Sequence, residues 1–376
     1  MSLDKLAEVS RFYGANPDYV IAGGGNTSFK DKEFLYIKPS GTSLGQIKSE
    51  DFVKMNRAGL SAIWDKEYPE DSDAREAAVL SDMMASRCPG EESKRPSVET
   101  LLHDLLPFAY VVHTHPAMVN GLTCSKDGEK AVKELLPSAL WIPLINPGYI
   151  LSKAVKDALD SRRTSDPNAD KNSVVIFLQN HGIFVAANTI EEIDSIYIAV
   201  MAALGSKIKK NPDFGNAVNS YANSETAGNE ILAVVKKTNP NANWFIKFER
   251  NNQIQFFVAD QNSFKPVSSA YTPDHMVYSG SDPLFINDTT AFEKAFTEHT
   301  QKTGRIPKII AVKALGIFAL ANSEKAVDNA LELFIDTQRV AIYSESFGGP
   351  LFMYDEMIRF INNWEVERYR SQVAAK

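Results

Sequence analysis

The sequence predicts an α/β protein built from two related halves. Three observations carry that reading. Short apolar runs of strand character alternate with amphipathic helical stretches along the chain. One such run, residues 174–178, is continuously apolar, as a strand covered on both faces would be. Residues 176–194 also align without gaps to residues 310–328, an offset of 134. In that alignment Gly182-Ile183-Phe184 lies over Gly316-Ile317-Phe318, and Ala187-Asn188 over Ala321-Asn322.

The elements follow in order. Residues 3–13 read as an opening helix and residues 18–22 as a short strand. Gly23-Gly24-Gly25-Asn26-Thr27-Ser28 reads as a turn, and residues 34–38 as a second strand closed by Pro39-Ser40-Gly41-Thr42-Ser43. Consecutive glycines permit positive φ and close backbone approach. Asn26, Thr27, Ser40 and Thr42 could ring an anion there, with Lys38 adding charge. Two plain hairpin turns fit the same residues. The glycines lack the G-x-G-x-x-G spacing and lead into a strand, which excludes a dinucleotide fingerprint and a P-loop.

Residues 73–84 read as a helix with Ala77, Leu80, Met83 and Met84 on one face. Val98, Leu101, Leu102 and Leu105 follow helical spacing between Pro96 and Pro107. A strand begins at Tyr110 and runs into His113-Thr114-His115-Pro116. A period of two puts both imidazoles on one face. Residues 140–145 are a strand and residues 151–162 a helix. Strands 174–178 and 183–186 then flank Gln179-Asn180-His181-Gly182. Residues 189–209 read as a long helix, with Thr189 as N-cap ahead of Glu191 and Glu192. The polar stretch 211–229 is the expected linker between domains 1–210 and 230–376. Beyond it, residues 230–237 read as a helix, and 244–248 with 253–259 as a hairpin.

Composition narrows the function classes. A chain of 376 residues suggests two domains. The net charge of −7, spread without long single-sign runs, argues against a nucleic-acid binder. The two cysteines, Cys88 and Cys124, form no CxxC pair, which fits a reducing compartment. An acid at Asp4 and the lack of an apolar stretch near Met1 argue against a signal peptide. No run approaches the length of a membrane span. The expectation is a cytoplasmic protein without membrane or nucleic-acid partners.

His113, His115 and His181 are the candidate metal ligands, with Glu99 as a fourth or exchangeable oxygen ligand. Three imidazoles and one oxygen suit Zn²⁺ or a similar divalent ion. His103, four residues after Glu99, is an alternative ligand or a supporting residue. The repeat replaces His181 with Leu315, and His275 stands alone where the first copy has His-Thr-His. The second half is therefore expected to be a degenerate, metal-free copy serving structure, assembly or a lid.

Taken as an ordered set, Gly24-Gly25-Asn26-Thr27-Ser28, Lys38-Pro39-Ser40-Gly41, Pro96-Ser97-Val98-Glu99, His113-Thr114-His115-Pro116 and Asn180-His181-Gly182 resemble the class II aldolase/adducin family. The likeness covers roughly residues 1–210. Thr272-Pro273-Asp274-His275 and the tail Trp364-Glu365-Val366-Glu367 resemble the continuation of the aldolase part of bifunctional rhamnulose-1-phosphate aldolase/dehydrogenase proteins. With no nucleotide fingerprint, their dehydrogenase activity is not carried over.

The resemblance implies an α/β/α sandwich around a mixed, largely antiparallel sheet, assembled as a homo-tetramer. It implies His113, His115 and His181 as zinc ligands and Glu99 as the catalytic carboxylate. It also implies Asn26, Thr27, Ser40, Gly41 and Ser97 as the cradle of a sugar phosphate. The implied reaction is cleavage of a rhamnulose- or fuculose-type ketose 1-phosphate to dihydroxyacetone phosphate and an aldehyde. A sugar-phosphate 4-epimerase and a non-catalytic adducin-like assembly module are the alternatives on the same scaffold. Two departures stand out. Val98 replaces a serine common in the family, and the family's tyrosine proton donor has no clear match, Tyr149 being a guess.

Overall fold

The computed structural model describes residues 3–217, 223–366 and 369. Residues 218–222 of the expected linker lie outside the described residues, as does Glu367 of the tail pattern. Among the described residues, eleven strands form two sheets. The first comprises β1 (Asn26–Lys30), β2 (Phe34–Ile37), β3 (Val53–Asn56), β4 (Tyr110–Thr114), β5 (Leu140–Ile142), β6 (Ser173–Leu178) and β7 (Gly182–Ala187). Their order is β3-β2-β1-β4-β7-β6-β5. Every neighbouring pair is antiparallel except β5 with β6, which is parallel.

Helices cover both faces of this sheet, and the period of two decides which residue meets which layer. Tyr110 and Val112 of β4, with Ile183 and Val185 of β7, pack on one side against Ile193, Tyr197 and Val200 of helix Ile190–Gly205. Val111, Ile176, Phe184 and Ala186 pack on the other against Leu102 and against Leu151, Val155 and Leu159 of helix Tyr149–Ser165. Thr189 caps helix Ile190–Gly205 reciprocally with Glu192, satisfying two end donors.

The second sheet holds β8 (Phe245–Glu249), β9 (Leu284–Ile286), β10 (Ile309–Val312) and β11 (Gly316–Ala321) in the order β8-β11-β10-β9. It reproduces the β4-β7-β6-β5 arc, including one parallel pair, β9 with β10. β7 and β11 are offset by the same 134 residues throughout, and Asn180 and Ala314 both adopt positive φ, +56° and +58°. Ser323 then caps helix Glu324–Ser344 as Thr189 caps its counterpart. His275 is not the counterpart of the His-Thr-His stretch. β8 occupies the place of β4, so Phe248 pairs with Phe318 as His113 pairs with Phe184.

Two expected elements differ. Residues 18–22 form no strand: Tyr19 and Val20 donate back to the Asn16 carbonyl, and the strand is Asn26–Lys30 instead. Asn-Thr-Ser has weak strand preference, but β2 and β4 supply partners on both edges. The expected second arm of the hairpin is helix Asn252–Phe257, because the Asn251 side chain caps it by accepting from the Ile254 N–H.

The two halves are joined by packing and by backbone. Helix Ala117–Thr123 lies along Glu324–Ser344, and Cys124 enters the core of the second half. Leu351 N–H donates to the Cys124 carbonyl at 2.8 Å, and the Asn180 amide donates to the carbonyls of Tyr271 and Leu351 at 3.0 and 2.7 Å. Gly121 permits the helix contact: a β-carbon there would sit 2.3 Å from Cβ of Tyr343. Gly121→Val should therefore destabilise the protein by about 1–3 kcal/mol through overpacking. Urea unfolding checks this; an unchanged midpoint would contradict the close helix contact.

Candidate metal centre

β4 is central in the first sheet, so what it carries is buried and held from both edges. His113, fully buried, pairs with Asn26 of β1 on one side and Phe184 of β7 on the other. Its ring stacks on Phe184 with centroids 3.9 Å apart. His115 lies just past the strand end on the same face. His181 ends the tight turn 179–181 between β6 and β7, which the left-handed Asn180 makes possible.

The three imidazoles each offer one nitrogen, and these atoms lie within 4.8 Å of one another. The hydrogen bonds assign the tautomers. Nδ1 of His113 donates to the Ile183 carbonyl at 2.9 Å, and Nδ1 of His115 donates to Oδ2 of Asp274 at 2.6 Å. Each Nδ1 is thereby occupied, and the two Nε2 atoms face each other 2.8 Å apart. Burial, partly countered by Glu99, pushes the pKa of His181 down to about 3, so this imidazole is neutral.

Glu99 sits at the start of helix Thr100–Leu105. Its Oε1 lies 3.4 Å from His113 Nε2 and 3.5 Å from His181 Nε2, buried and without a hydrogen-bond partner. Neutral nitrogen lone pairs facing each other beside an orphaned carboxylate oxygen are a donor set completed by a divalent cation. The residues fit the metal that the sequence implied.

The other Glu99 oxygen is held by the Asn26 amide at 2.5 Å, which also donates to Ser97 Oγ at 3.2 Å. His103 fixes that amide in turn. Its Nε2 donates to Asn26 Oδ1, and its Nδ1 accepts from Ser28 Oγ at 2.7 Å. Burial above all holds the pKa of His103 well below the usual range and keeps it neutral. His103 is thus a support, not a ligand.

A polar pocket adjoins the cluster. Asn26, Lys38, Ser40, Gly41, Ser97, Glu99, His115 and His181 line it. Backbone pairing zips its two walls together: Ser97 N–H donates to the Lys38 carbonyl, and Ser40 N–H to the Arg95 carbonyl. Thr27 does not join them. It faces the opposite side of β1, and its hydroxyl is 2.6 Å from Ser10 Oγ. Val98 lines the pocket with no hydroxyl to offer. Tyr149 packs against Trp64 and Tyr68, away from the pocket.

The second half reaches this site, which the sequence reading missed. Pro273 and Val366 line the pocket, and Arg95 makes a bidentate pair with Glu365 at 3.0 and 2.6 Å. His275 drew attention in the sequence, yet its Nε2 faces Asp336 at 3.0 Å inside the second half. Its neighbour Asp274 turns to His115. Both expected uses of the glycines are present, since Gly25 takes φ +60° and Gly24 is closely approached. A β-carbon on Gly24 would lie 2.5 Å from Asp274 Oδ2, so the turn is bare partly to admit that carboxylate.

The model of the class II aldolase and adducin N-terminal domain matches residues 4–203. The chain is 21% identical over 419 aligned positions to the uncharacterized oxidoreductase YuxG of Bacillus subtilis (strain 168), covering 99% of this chain and 58% of that protein. It thus spans about three fifths of the length of the curated relative it matches. Similar solved structures include the N-terminal class II aldolase domain of a conserved protein from Thermoplasma acidophilum. That domain is 26% identical, with 56% of this chain and 94% of that chain covered at a TM-score of 0.46. An L-fuculose 1-phosphate aldolase is 18% identical, with 54% and 83% covered at a TM-score of 0.37.

Lys30 supports the same helix from below, donating to the His103 carbonyl at 2.6 Å. Burial lowers its pKa from the ordinary 10.5 to about 7. Between those values the unfolded chain holds the extra proton, so this group makes stability rise with pH across that window. The stability of the wild type relative to Lys30→Met should rise from pH 7 towards pH 10, by up to about 1.4 kcal/mol per pH unit. Denaturant titrations of both proteins at several pH values check it; a pH-independent difference would contradict the buried ammonium.

Proposed function

The chain belongs to the class II aldolase and adducin family, and from that premise we propose that it is a metal-dependent lyase. Its substrate is a ketose 1-phosphate of the rhamnulose or fuculose type. The products are dihydroxyacetone phosphate and an aldehyde. One observation carries the reading: three imidazole nitrogens cluster together, two of them beside an orphaned Glu99 oxygen, at the edge of a pocket lined by short polar side chains.

In this reading His113, His115, His181 and Glu99 hold Zn²⁺ or a similar divalent ion. When bound, the ion polarises the ketose carbonyl as a Lewis acid and stabilises negative charge on its oxygen. The contact expected from Asn26 is taken up by Glu99, Ser97 and His103, whereas Ser40, Gly41 and Ser97 bind the phosphate, with Lys38 supplying positive charge. They fix the reacting carbon beside Glu99. Cleavage breaks the bond between the carbon next to the carbonyl and the hydroxyl-bearing carbon beyond it. The hydroxyl proton passes to water as the aldehyde forms, and Glu99, which would leave the ion when substrate binds, takes a proton from water and delivers it to the carbon left behind, so the proton count balances. Asn26 holds Glu99 in place for that transfer, and no Schiff-base lysine is needed.

The metal ligands lie in residues 1–210, and the link is shorter than the expected 211–229, because helix Ser224–Thr238 buries Ala227 in the core of the second half, a repeat without metal ligands of its own. We further propose a cytoplasmic homo-tetramer. Among the described residues, no helix is long and apolar enough to cross a membrane.

Triose phosphate release, coupled to a reporter dehydrogenase, tests the reaction on rhamnulose- and fuculose-type phosphates. Glu99→Gln should lower kcat by about 10²–10⁴-fold. Epimer formation without triose phosphate, or no cleavage of any ketose phosphate, would contradict the lyase.

A further inference from the structure

We propose that Asp274, carried by the second half of the chain, is a positioning residue of the metal centre, so that the first half's site is incomplete without its degenerate repeat. The inference rests on the metal-dependent reading above. It shares the His115–Asp274 contact with that reading and adds that the carboxylate comes from the second half.

Asp274 lies in the first turn of helix Pro273–Tyr278, which Thr272 caps by accepting from the His275 N–H. That helix packs on Glu324–Ser344, and the buried contact of His275 Nε2 with Asp336 Oδ2 pins it there. Asp274 is 5% exposed, and its Oδ2 accepts from Nδ1 of His115 at 2.6 Å. A carboxylate at Nδ1 holds the proton on that nitrogen and leaves Nε2 as the ligand atom. It also fixes the ring's rotation and makes Nε2 more basic.

His113 needs no such help. The Ile183 carbonyl, part of the sheet, serves its Nδ1. His115 lies beyond the last paired residue of β4, so the sheet does not hold it. The second half supplies what the strand end lacks. The bare backbone at Gly24 belongs to the same arrangement, since a β-carbon there would meet both Asp274 Oδ2 and His115 Nδ1, at 2.5 and 3.2 Å.

The repeat has exchanged its own ligands for this role. Phe248 stands where His113 would be, and Leu315 where His181 would be. Arg250 follows two residues after Phe248, and its guanidinium donates to the Leu315 carbonyl at 2.8 Å. A site with these groups holds no cation, yet the half that carries them keeps a carboxylate aimed into the other one.

Cobalt titration of the full-length apo chain, followed by absorbance and by chelator competition, tests the proposal. Asp274→Ala should weaken cobalt binding towards 100-fold. Asp274→Asn keeps an acceptor but loses the charge, and should weaken it about 10-fold. Gly24→Ala should weaken it as well, though it removes no carboxylate. Asp328→Asn, at an exposed ion pair with Lys247 in the same half, should bind as the wild type does.

A merely structural contact would lower the apo melting temperature and leave the affinity of folded protein unchanged. Wild-type affinity in Asp274→Asn overturns the positioning role, and this variant decides if Asp274→Ala does not fold. A wild-type chain that takes up no cobalt overturns the metal reading, and this proposal with it.

Discussion

Three imidazole nitrogens share one space, within 4.8 Å of one another, and a buried Glu99 oxygen without a hydrogen-bond partner lies beside two of them. A divalent cation would satisfy all four groups at once. That constraint organises the first half of the chain. It places His113 in the central strand, where both neighbours hold the backbone. It puts His181 in a turn that only a left-handed residue can close. It also brings Glu99 to a helix start, where Asn26, His103 and Ser28 form a chain of hydrogen bonds behind it. Each of these supports is buried, so the geometry is set before any ligand arrives.

The second half repeats the strand arc and the long helix of the first. What survived is packing: the Gly-Ile-Phe strand, the positive φ before it and the capped helix after it. The polar ligands are gone, replaced by Phe248 and Leu315. The half is nonetheless bound to the first by backbone hydrogen bonds and a close helix contact, and it reaches back through Asp274, Pro273 and Val366. Loss of chemistry in one copy and support of chemistry in the other are compatible, because they use different elements of that copy.

Much of the site was legible in the chain. Two histidines at strand spacing specify a shared face by periodicity, and the family resemblance joined to them a third in a strand-end turn and a carboxylate on the preceding helix. Asp274 was not legible, since it lies 159 residues from His115 and is brought there by the docking of two halves. Strand β1 was hidden for a similar reason: its polar residues form a strand because of the neighbours on both edges. The glycine turn was legible in part, because a small residue says only that something comes close, and here a carboxylate does. His103 shows the limit of residue-type reasoning. An imidazole near a metal site is a ligand or a support depending on which way its helix faces, and here both ring nitrogens are occupied by Asn26 and Ser28.

X-ray absorption at the zinc edge on the zinc-loaded chain examines the central claim most directly, since it reads the ligand set without reference to substrate. The expected result is one zinc per chain with three imidazole nitrogens and oxygen in its first coordination sphere. A spectrum without imidazole scattering, or a chain that retains no zinc, would contradict it.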